Sequence, residues 1–573
     1  MRANKLLPRW AVFAAVLAVC LLALASPTPA LGASFTVDAT HDAVDANPGD
    51  GLCADVDGAC TLRAAVMETN ALAGADEITL PAGTYGLTIA GNGEGAGDFN
   101  VTDDLLIIGA GSDATIVDGG GLDRVLYVET ATVEVSLITI RNGNAPDDHG
   151  GGIKNYGNLT LRNSTIAENQ AGSSGGGISN SGVLLLAKSR VTRNEAPEGA
   201  GVWNSGTLEL ATTTVAENSG GGILNNFGTV TLTDSKVSAN VYEGGGGGIR
   251  NVSGTINGDG LTVSDNHSAS RGGGIFNNGV LSLTQSSISG NVASRRGGGI
   301  FNYADASAAL SESTVTRNAA GQGAGIFHQS AYKMAIAQTT VSLNVARFSG
   351  GGIEHIAGIL ELTNSTISGN SAALSGGGIR VNSPVITLVN TTIANNDAAA
   401  GAGMYSADLP QFKTLVNTII ALNAGPDCSG VGITSLGHNL DSDGSCGFTE
   451  PGDRPNTDPL LGPLADNGGP TQTHALLAGS PAIDAGDNAA CPATDQRGAF
   501  RPQGVACDIG AYEVEPLCPP GCGDPVRPPS PSPTLSPSPS PTPTARRVTR
   551  RRAARHRRNP RPRVRRQPPQ ASY

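Results

Sequence analysis

One phrase of six residues recurs through the middle of the chain and constrains its fold more than any other feature. It consists of three glycines, an aliphatic residue, one variable residue and an asparagine, as in GGGIFN at 272–277 and again at 297–302. The aliphatic residue falls at eleven positions that lie 21 to 27 residues apart: Ile153, Ile178, Val202, Ile223, Ile249, Ile275, Ile300, Ile326, Ile353, Ile379 and Met404. Such a period is typical of a solenoid, in which each repeat buries its apolar face against its neighbours.

Asparagines form a second series with the same period. They are Asn169, Asn194, Asn218, Asn240, Asn266, Asn291, Asn318, Asn344 and Asn370, and we continue the series at Asn395 and Asn423. Stacked asparagines can bond their amides to the turn backbone and to the asparagine of the next repeat. We therefore predict an inward ladder of asparagines at one corner of the solenoid.

A single unit, residues 272–296, contains three short runs in which apolar and polar residues alternate. Alternation predicts strands, and glycine throughout would be costly in a helical repeat. Leucine-rich repeats share the length but need a helical return and a different spacing of Leu and Asn. The sequence predicts an all-β fold, a right-handed parallel β-helix with about 25 residues per coil and both ends capped. Roughly sixteen coils would fit between about 77 and 480.

Residues 1–33 have the pattern of a secretory signal peptide. Three basic residues precede an apolar run at 10–25, and small residues and prolines follow. The alternative is a membrane anchor, for which this run is short. We expect a secreted or cell-surface protein with no transmembrane helix once the signal is cleaved.

Charge is unevenly distributed along the chain. The net charge is −12, but twelve arginines lie between Arg546 and Arg566, so the rest carries about −24. A body this acidic should repel nucleic acid. We expect 516–545 to be an extended Pro/Ser/Thr linker and 546–573 a basic disordered tail. That tail is either an anchor for anionic wall polymers or membrane, or incidental to function.

Cysteines occur as near neighbours. The sequence has nine cysteines, or eight once Cys20 leaves with the signal peptide, and an even number in an exported chain predicts disulfides. We expect nearest-neighbour pairing, which gives Cys53–Cys60, Cys428–Cys446, Cys491–Cys507 and Cys518–Cys522.

Three segments resemble known families of bacterial surface proteins. Residues 50–85, with Cys60-Thr61-Leu62-Arg63, resemble the CSLREA domain, although Ser and Glu of that name are replaced. The glycine phrases resemble the repeats of polymorphic outer membrane proteins, and 458–513 resembles the choice-of-anchor Q domain. These resemblances imply an N-terminal cap at 34–76, a β-helix at 77–457 and a C-terminal domain at 458–515. They imply a secreted or surface β-helix protein without an assigned activity.

Catalysis must be considered because parallel β-helices include pectate lyases and polygalacturonases. The one suggestive string is Asp147-Asp148-His149, which we interpret as a solvated turn because partner carboxylates are not evident in the next repeat. Asp55 with Asp57 and Asp441 with Asp443 resemble fragments of calcium loops but do not continue into full loops. We therefore expect no catalytic residue, no metal and no cofactor. The alternative is a polysaccharide lyase or glycoside hydrolase acting on polyuronides.

The variable residue of the glycine phrase should point outward. It is aromatic at five positions: Trp203, Phe276, Phe301, Phe327 and Tyr405. A stacked aromatic stripe suits contacts with sugars or proteins, and it could equally stabilise the sheet. Our hypothesis is a binding, adhesive or structural role, with glycans, extracellular matrix or cell-wall polymers as partners.

Overall fold

The computed structural model confirms the parallel β-helix. It describes residues 32–515, apart from 92, 94, 384 and 408–412. Successive coils pair in register: Ile275 lies opposite Ile249 on one side and opposite Ile300 on the other. The last strand of the second sheet is Leu440–Asp441, so the helix ends before residue 480 and has fewer than the sixteen coils expected.

The first sheet has 26 strands and forms two faces of the helix, because two of its strands occur in most coils. They are Ser34–Thr36, Asp76–Leu80, Phe99–Val101, Leu105–Gly109, Leu126–Val128, Thr132–Ser136, Ile153–Asn155, Asn158–Arg162, Ile178–Asn180, Val183–Ala187, Val202–Asn204, Thr207–Ala211, Ile223–Asn226, Thr229–Thr233, Ile249–Asp259, Ile275–Thr284, Ile300–Ala304, Ser307–Ser311, Ile326–Ala337, Ile353–Thr363, Ile379–Val381, Val385–Val389, Met404–Ser406, Lys413–Val416, Cys428–Gly430 and Ile433–Ser435.

The second sheet forms the third face and has fifteen strands. They are Gly83–Gly86, Thr115–Asp118, Thr139–Arg141, Thr165–Ala167, Arg190–Thr192, Thr214–Ala216, Lys236–Ser238, Thr262–Ser264, Ser287–Ser289, Thr314–Thr316, Thr340–Ser342, Thr366–Ser368, Thr392–Ala394, Ile419–Ala421 and Leu440–Asp441.

A third sheet runs along one corner and was not anticipated from the sequence. Its seven strands are Val241–Tyr242, His267–Ser268, Val292–Arg296, Ala319–Gln322, Val345–Ser349, Ser371–Ser375 and Asp397–Ala400. In the preceding coils this corner holds a two-stranded pairing of Asn144–Ala145 with Gln170–Ala171. Within the described residues, a hairpin of Leu461–Ala465 and Thr473–Leu476 and one helix, Leu62–Ala71, complete the elements.

The core is a continuous aliphatic column. In the coil that begins at Ile275, the residues Ile275, Leu281, Leu283 and Ile288 are 0–1% exposed, and each lies against its counterpart in the next coil. Each buried aliphatic side chain contributes about 1.5–3 kcal/mol relative to exposure. Each coil must place an aliphatic residue at the same points of the column. This requirement is the physical origin of the sequence period.

The three glycines of the phrase have different roles. Gly272 adopts a φ of 63°, a left-handed conformation that suits glycine. Gly273 and Gly274 are required because a side chain at either position would clash with the next coil. A Cβ on Gly274, for example, would lie 2.7 Å from the carbonyl oxygen of Gly299. The phrase therefore combines a sharp turn with a close approach between coils.

The predicted asparagines stack as a buried ladder from Asn169 to Asn370. Asn266, for example, donates from Nδ2 to Oδ1 of Asn291 at 3.0 Å and to the carbonyl oxygen of Val237 at 3.0 Å. The ladder continues through Asn396, which accepts from Asn370, so our alignment to Asn395 was wrong by one residue. Asn395 is exposed and has a φ of 59°, the left-handed conformation that the preceding residue adopts in most coils.

The asparagine of the glycine phrase forms a second buried ladder. It runs through Asn155, Asn180, Asn204, Asn225, Asn251, Asn277 and Asn302, with Nδ2 to Oδ1 distances of 2.7–3.0 Å. The next two coils have His328 and His355 at this position, and their rings stack at 5.1 Å with an angle of 6°. Both histidines are fully buried, so the ladder contains a pair of neutral imidazoles.

The helix Leu62–Ala71 covers the N-terminal end of the column. Thr61 caps it by accepting from the amide of Ala64 at 3.1 Å. Leu62, Ala65 and Val66 are buried in the main apolar cluster.

The C-terminal end of the column is covered by the segment that follows the last coils. Phe448, only 2% exposed, packs into the main cluster, so the segment 433–457 covers this end. Residues 458–515 lie instead on the outer surface of the second sheet, where Gln496 accepts from Thr366 at 2.7 Å and Ser368 bonds His474 at 2.9 Å. The C-terminal domain therefore covers a flank of the last coils, because their outward Ser and Thr side chains present hydrogen-bonding groups to it.

Three of the expected disulfides are present: Cys53–Cys60, Cys428–Cys446 and Cys491–Cys507. The pair Cys518–Cys522, the linker, the tail and most of the signal segment lie outside the described residues. In the part that is described, no helix is long and apolar enough to cross a membrane.

Candidate functional site

The outward aromatic column is buried at its centre. Phe301 and Phe327 are 0% and 1% exposed, whereas Trp203, Phe276 and Tyr405 are half-buried. Phe301 stacks between Phe276 and Phe327 with ring centroids 5.4 Å apart on each side. We expected the phenylalanines to form an exposed stripe, and for Phe301 and Phe327 this expectation was wrong. Both rings point away from the core, but they are covered and leave no surface for a ligand.

Arginines of the third sheet and its turns cover these rings. The guanidinium of Arg271 lies 5.4 Å from the centre of Phe301, and that of Arg296 lies 4.9 Å from Phe327. A cation over an aromatic face is a favourable contact when it is desolvated. Farther along the column, Tyr405 is covered in the same way by Arg380 at 5.7 Å.

In the earlier coils, before the third sheet begins, the column residues are half-buried, except Ser179, which is buried. Asn100, Tyr127, Lys154, Ser179 and Trp203 pair in register from coil to coil. Beside them is an open groove of about 740 Å³. Its lining includes Asp98, Asn100, Thr102, Asp123, Arg124, Tyr127, Glu129, Asp147, Asp148 and Lys154.

Arg124 organises the groove. It is 8% exposed, and its Nη1 donates to Asp98 at 3.0 Å while its Nη2 donates to Asp148 at 2.7 Å. Its Nε donates to the carbonyl oxygen of Gly150 at 2.9 Å. A guanidinium with its donors engaged in this way is held in one orientation.

Lys154 provides a second cation to Asp148, with Nζ at 3.0 and 2.8 Å from its two oxygens. Partial burial opposes ionisation of Asp148, but the bond from Lys154, the His149 amide and the nearby charges lower its pKa to about 2. Burial raises the pKa of Asp98 despite its contact with Arg124. Two carboxylates on one guanidinium therefore have pKa values moved in opposite directions.

Aromatic rings flank this charged centre. Tyr127 lies edge-on to Tyr156 with centroids 6.0 Å apart, and Arg124 lies 5.8 Å from the centre of Tyr127. On the other side, His149 stacks on Trp203 at 5.6 Å. Tyr156 is 49% exposed, whereas Tyr127, His149 and Trp203 are half-buried.

The string Asp147-Asp148-His149 is thus more than a solvated turn. Asp147 is exposed, but Asp148 and His149 belong to the groove through Arg124, Lys154 and Trp203. Sequence reasoning missed Arg124 because it lies where later coils have a glycine. The sequence does contain a signal for Arg124, because the repeat is broken there. The three residues before Leu126 are Asp, Arg and Val, whereas the next coil has three glycines at the same positions.

In the two fragments that resemble calcium loops, carboxylates accept hydrogen bonds from the backbone of their own loops. Asp55 accepts from the amides of Asp57 and Ala59 in its own loop, and Asp441 accepts from the amide of Cys446. Among the residues that the structure describes, no group of three or more His, Cys, Asp or Glu could hold a metal ion.

Comparison with known proteins gives a distant structural likeness. No family model matches the chain, and no curated protein is similar to it. The crystal structure of pectate lyase Pel9A is similar with 14% sequence identity, coverage of 84% of this chain and 97% of that one, and a TM-score of 0.24.

Proposed function

We propose that the protein is an extracellular β-helix that binds a glycan in the groove beside Tyr127. The observation that carries this proposal is an open groove that combines the half-buried ring of Tyr127, the exposed ring of Tyr156 beside it and a fixed charged centre. Sugars present apolar faces that stack on aromatic rings and hydroxyls that bond to fixed polar groups. The parallel coils would align an extended polymer along the helix axis.

An extracellular location supports this ligand class. The signal-like segment at 1–33, the resemblance to surface-protein domains and the three disulfides suit an exported protein. In this proposal the linker at 516–545 and the basic tail at 546–573 connect the body to the cell surface.

Replacing Tyr127 by alanine tests the groove. We expect Tyr127→Ala to weaken glycan binding about tenfold, because a ring that stacks on a sugar contributes on the order of 1 kcal/mol beyond its buried area. Binding is measured by calorimetry with hexasaccharides of glucosamine, N-acetylglucosamine and galacturonate. The matched control is Tyr332→Ala, which removes a tyrosine that is 55% exposed in a distant coil. Equal affinities for Tyr127→Ala and the control would contradict the proposal.

Cleavage of a polysaccharide is a second candidate, favoured by one observation. Asp98 and Asp148 contact the same guanidinium, and divergent pKa values are what a general acid and a general base require. However, the hydrogen bonds and ion pairs from Arg124 hold both Asp98 and Asp148, so neither carboxylate is free to act as the base. New reducing ends or unsaturated products from any of the three hexasaccharides, lost in Asp98→Asn, would establish cleavage instead of binding.

A further inference from the structure

The groove's cations are already engaged by its own carboxylates. Arg124 donates to Asp98 and Asp148 and, at 3.2 Å, to the carbonyl oxygen of His149. Lys154 contacts both oxygens of Asp148. An anionic sugar would have to compete with these carboxylates for the two cations.

Carboxylates outnumber cations in the groove. Five acidic residues line it, Asp98, Asp123, Glu129, Asp147 and Asp148, against Arg124 and Lys154. Glu129 and Asp147 are exposed, and neither forms an ion pair with any described residue. These two carboxylates remain available to a ligand at the rim of the groove.

We propose, on the basis of the proposed function, that the glycan is cationic: a polymer of 2-amino-2-deoxyhexose units with free amino groups. Its ammonium groups would pair with Glu129 and Asp147, and its apolar ring faces would stack on Tyr127 and Tyr156. The acidic body adds a long-range negative potential to that of the groove carboxylates. This potential attracts a polycation and repels a polyuronide.

The test compares the hexasaccharides of glucosamine, N-acetylglucosamine and galacturonate on the full chain at pH 6. We expect the glucosamine hexamer to bind at least tenfold tighter than the neutral one, and the galacturonate hexamer not to bind. Raising the salt from 0.05 to 0.5 M should reduce the preference, because exposed charges are screened.

A double variant, Glu129→Gln with Asp147→Asn, should lose the preference for glucosamine while its affinity for the neutral hexamer is unchanged. The matched control is Glu209→Gln with Asp305→Asn, two exposed carboxylates elsewhere on the body. Equal affinity for the charged and neutral hexamers, or tighter binding of galacturonate, would overturn the inference and leave glycan binding intact. Failure to bind any of the three would overturn both.

Discussion

Lowering the pH from 7 to 4 should destabilise the protein by about 3 to 6 kcal/mol more than it destabilises the double variant His328→Asn/His355→Asn. Burial lowers the pKa of His328 to about 4, and burial together with the neighbouring ring lowers that of His355 to about 3. The unfolded chain binds protons near 6.5 and the folded chain does not. Stability is therefore fully present above pH 6.5 and is lost as the pH falls towards these values.

The double variant is a suitable reference protein because asparagine occupies this ladder position in the seven preceding coils. Asn302 already donates towards Nδ1 of His328 at 3.1 Å, so an asparagine oxygen there can accept the same bond. Denaturant unfolding at pH 7, 5.5 and 4 gives the difference, and shifts from the carboxylates cancel between the two proteins. Parallel pH profiles would show that the histidine pair does not control acid stability.

Phe301→Ala should destabilise the protein by about 3–5 kcal/mol, the cost of removing a buried aromatic side chain. Phe301 is fully buried and contacts Phe276, Phe327, Tyr303 and Arg271. The control Phe227→Ala removes a ring that is 71% exposed and should change stability by less than about 0.5 kcal/mol. Denaturation midpoints of both variants measure the difference.

The same variant distinguishes packing from recognition. Phe301 lies in a coil distant in sequence from the groove, so glycan affinity of the folded Phe301→Ala protein should match that of the wild type. Loss of affinity without loss of stability would restore the phenylalanine stripe as a binding surface.

Much of the fold follows from the sequence because stacking repeats the same environment in every coil. Ile275 lies between Ile249 and Ile300, so one residue's surroundings predict those of its neighbours. The third sheet was missed because its strands, such as Val241–Tyr242, are short and carry no regular apolar alternation. The docking of 458–515 on a flank was missed because Thr340 and Thr366 look like exposed strand residues until Gln496 contacts them.

The groove was harder to predict than the coil. Tyr127 and Lys154 occupy the variable position of the phrase, which the fold leaves unspecified. Arg124 and Asp148 meet across a coil boundary, 24 residues apart in sequence, and neither is part of the repeat. The sequence period identifies the residues that form the core and turns of the solenoid. The residues of the candidate site lie at positions where the sequence departs from that period.

Hydrogen–deuterium exchange of the full chain with and without a bound hexasaccharide tests the central claim most directly. Glycan binding in the groove predicts slower exchange in 123–129 and 145–156, with no change around the buried phenylalanines at 297–304. Protection confined to other coils, or no protection at a saturating concentration, would contradict a glycan site at Tyr127.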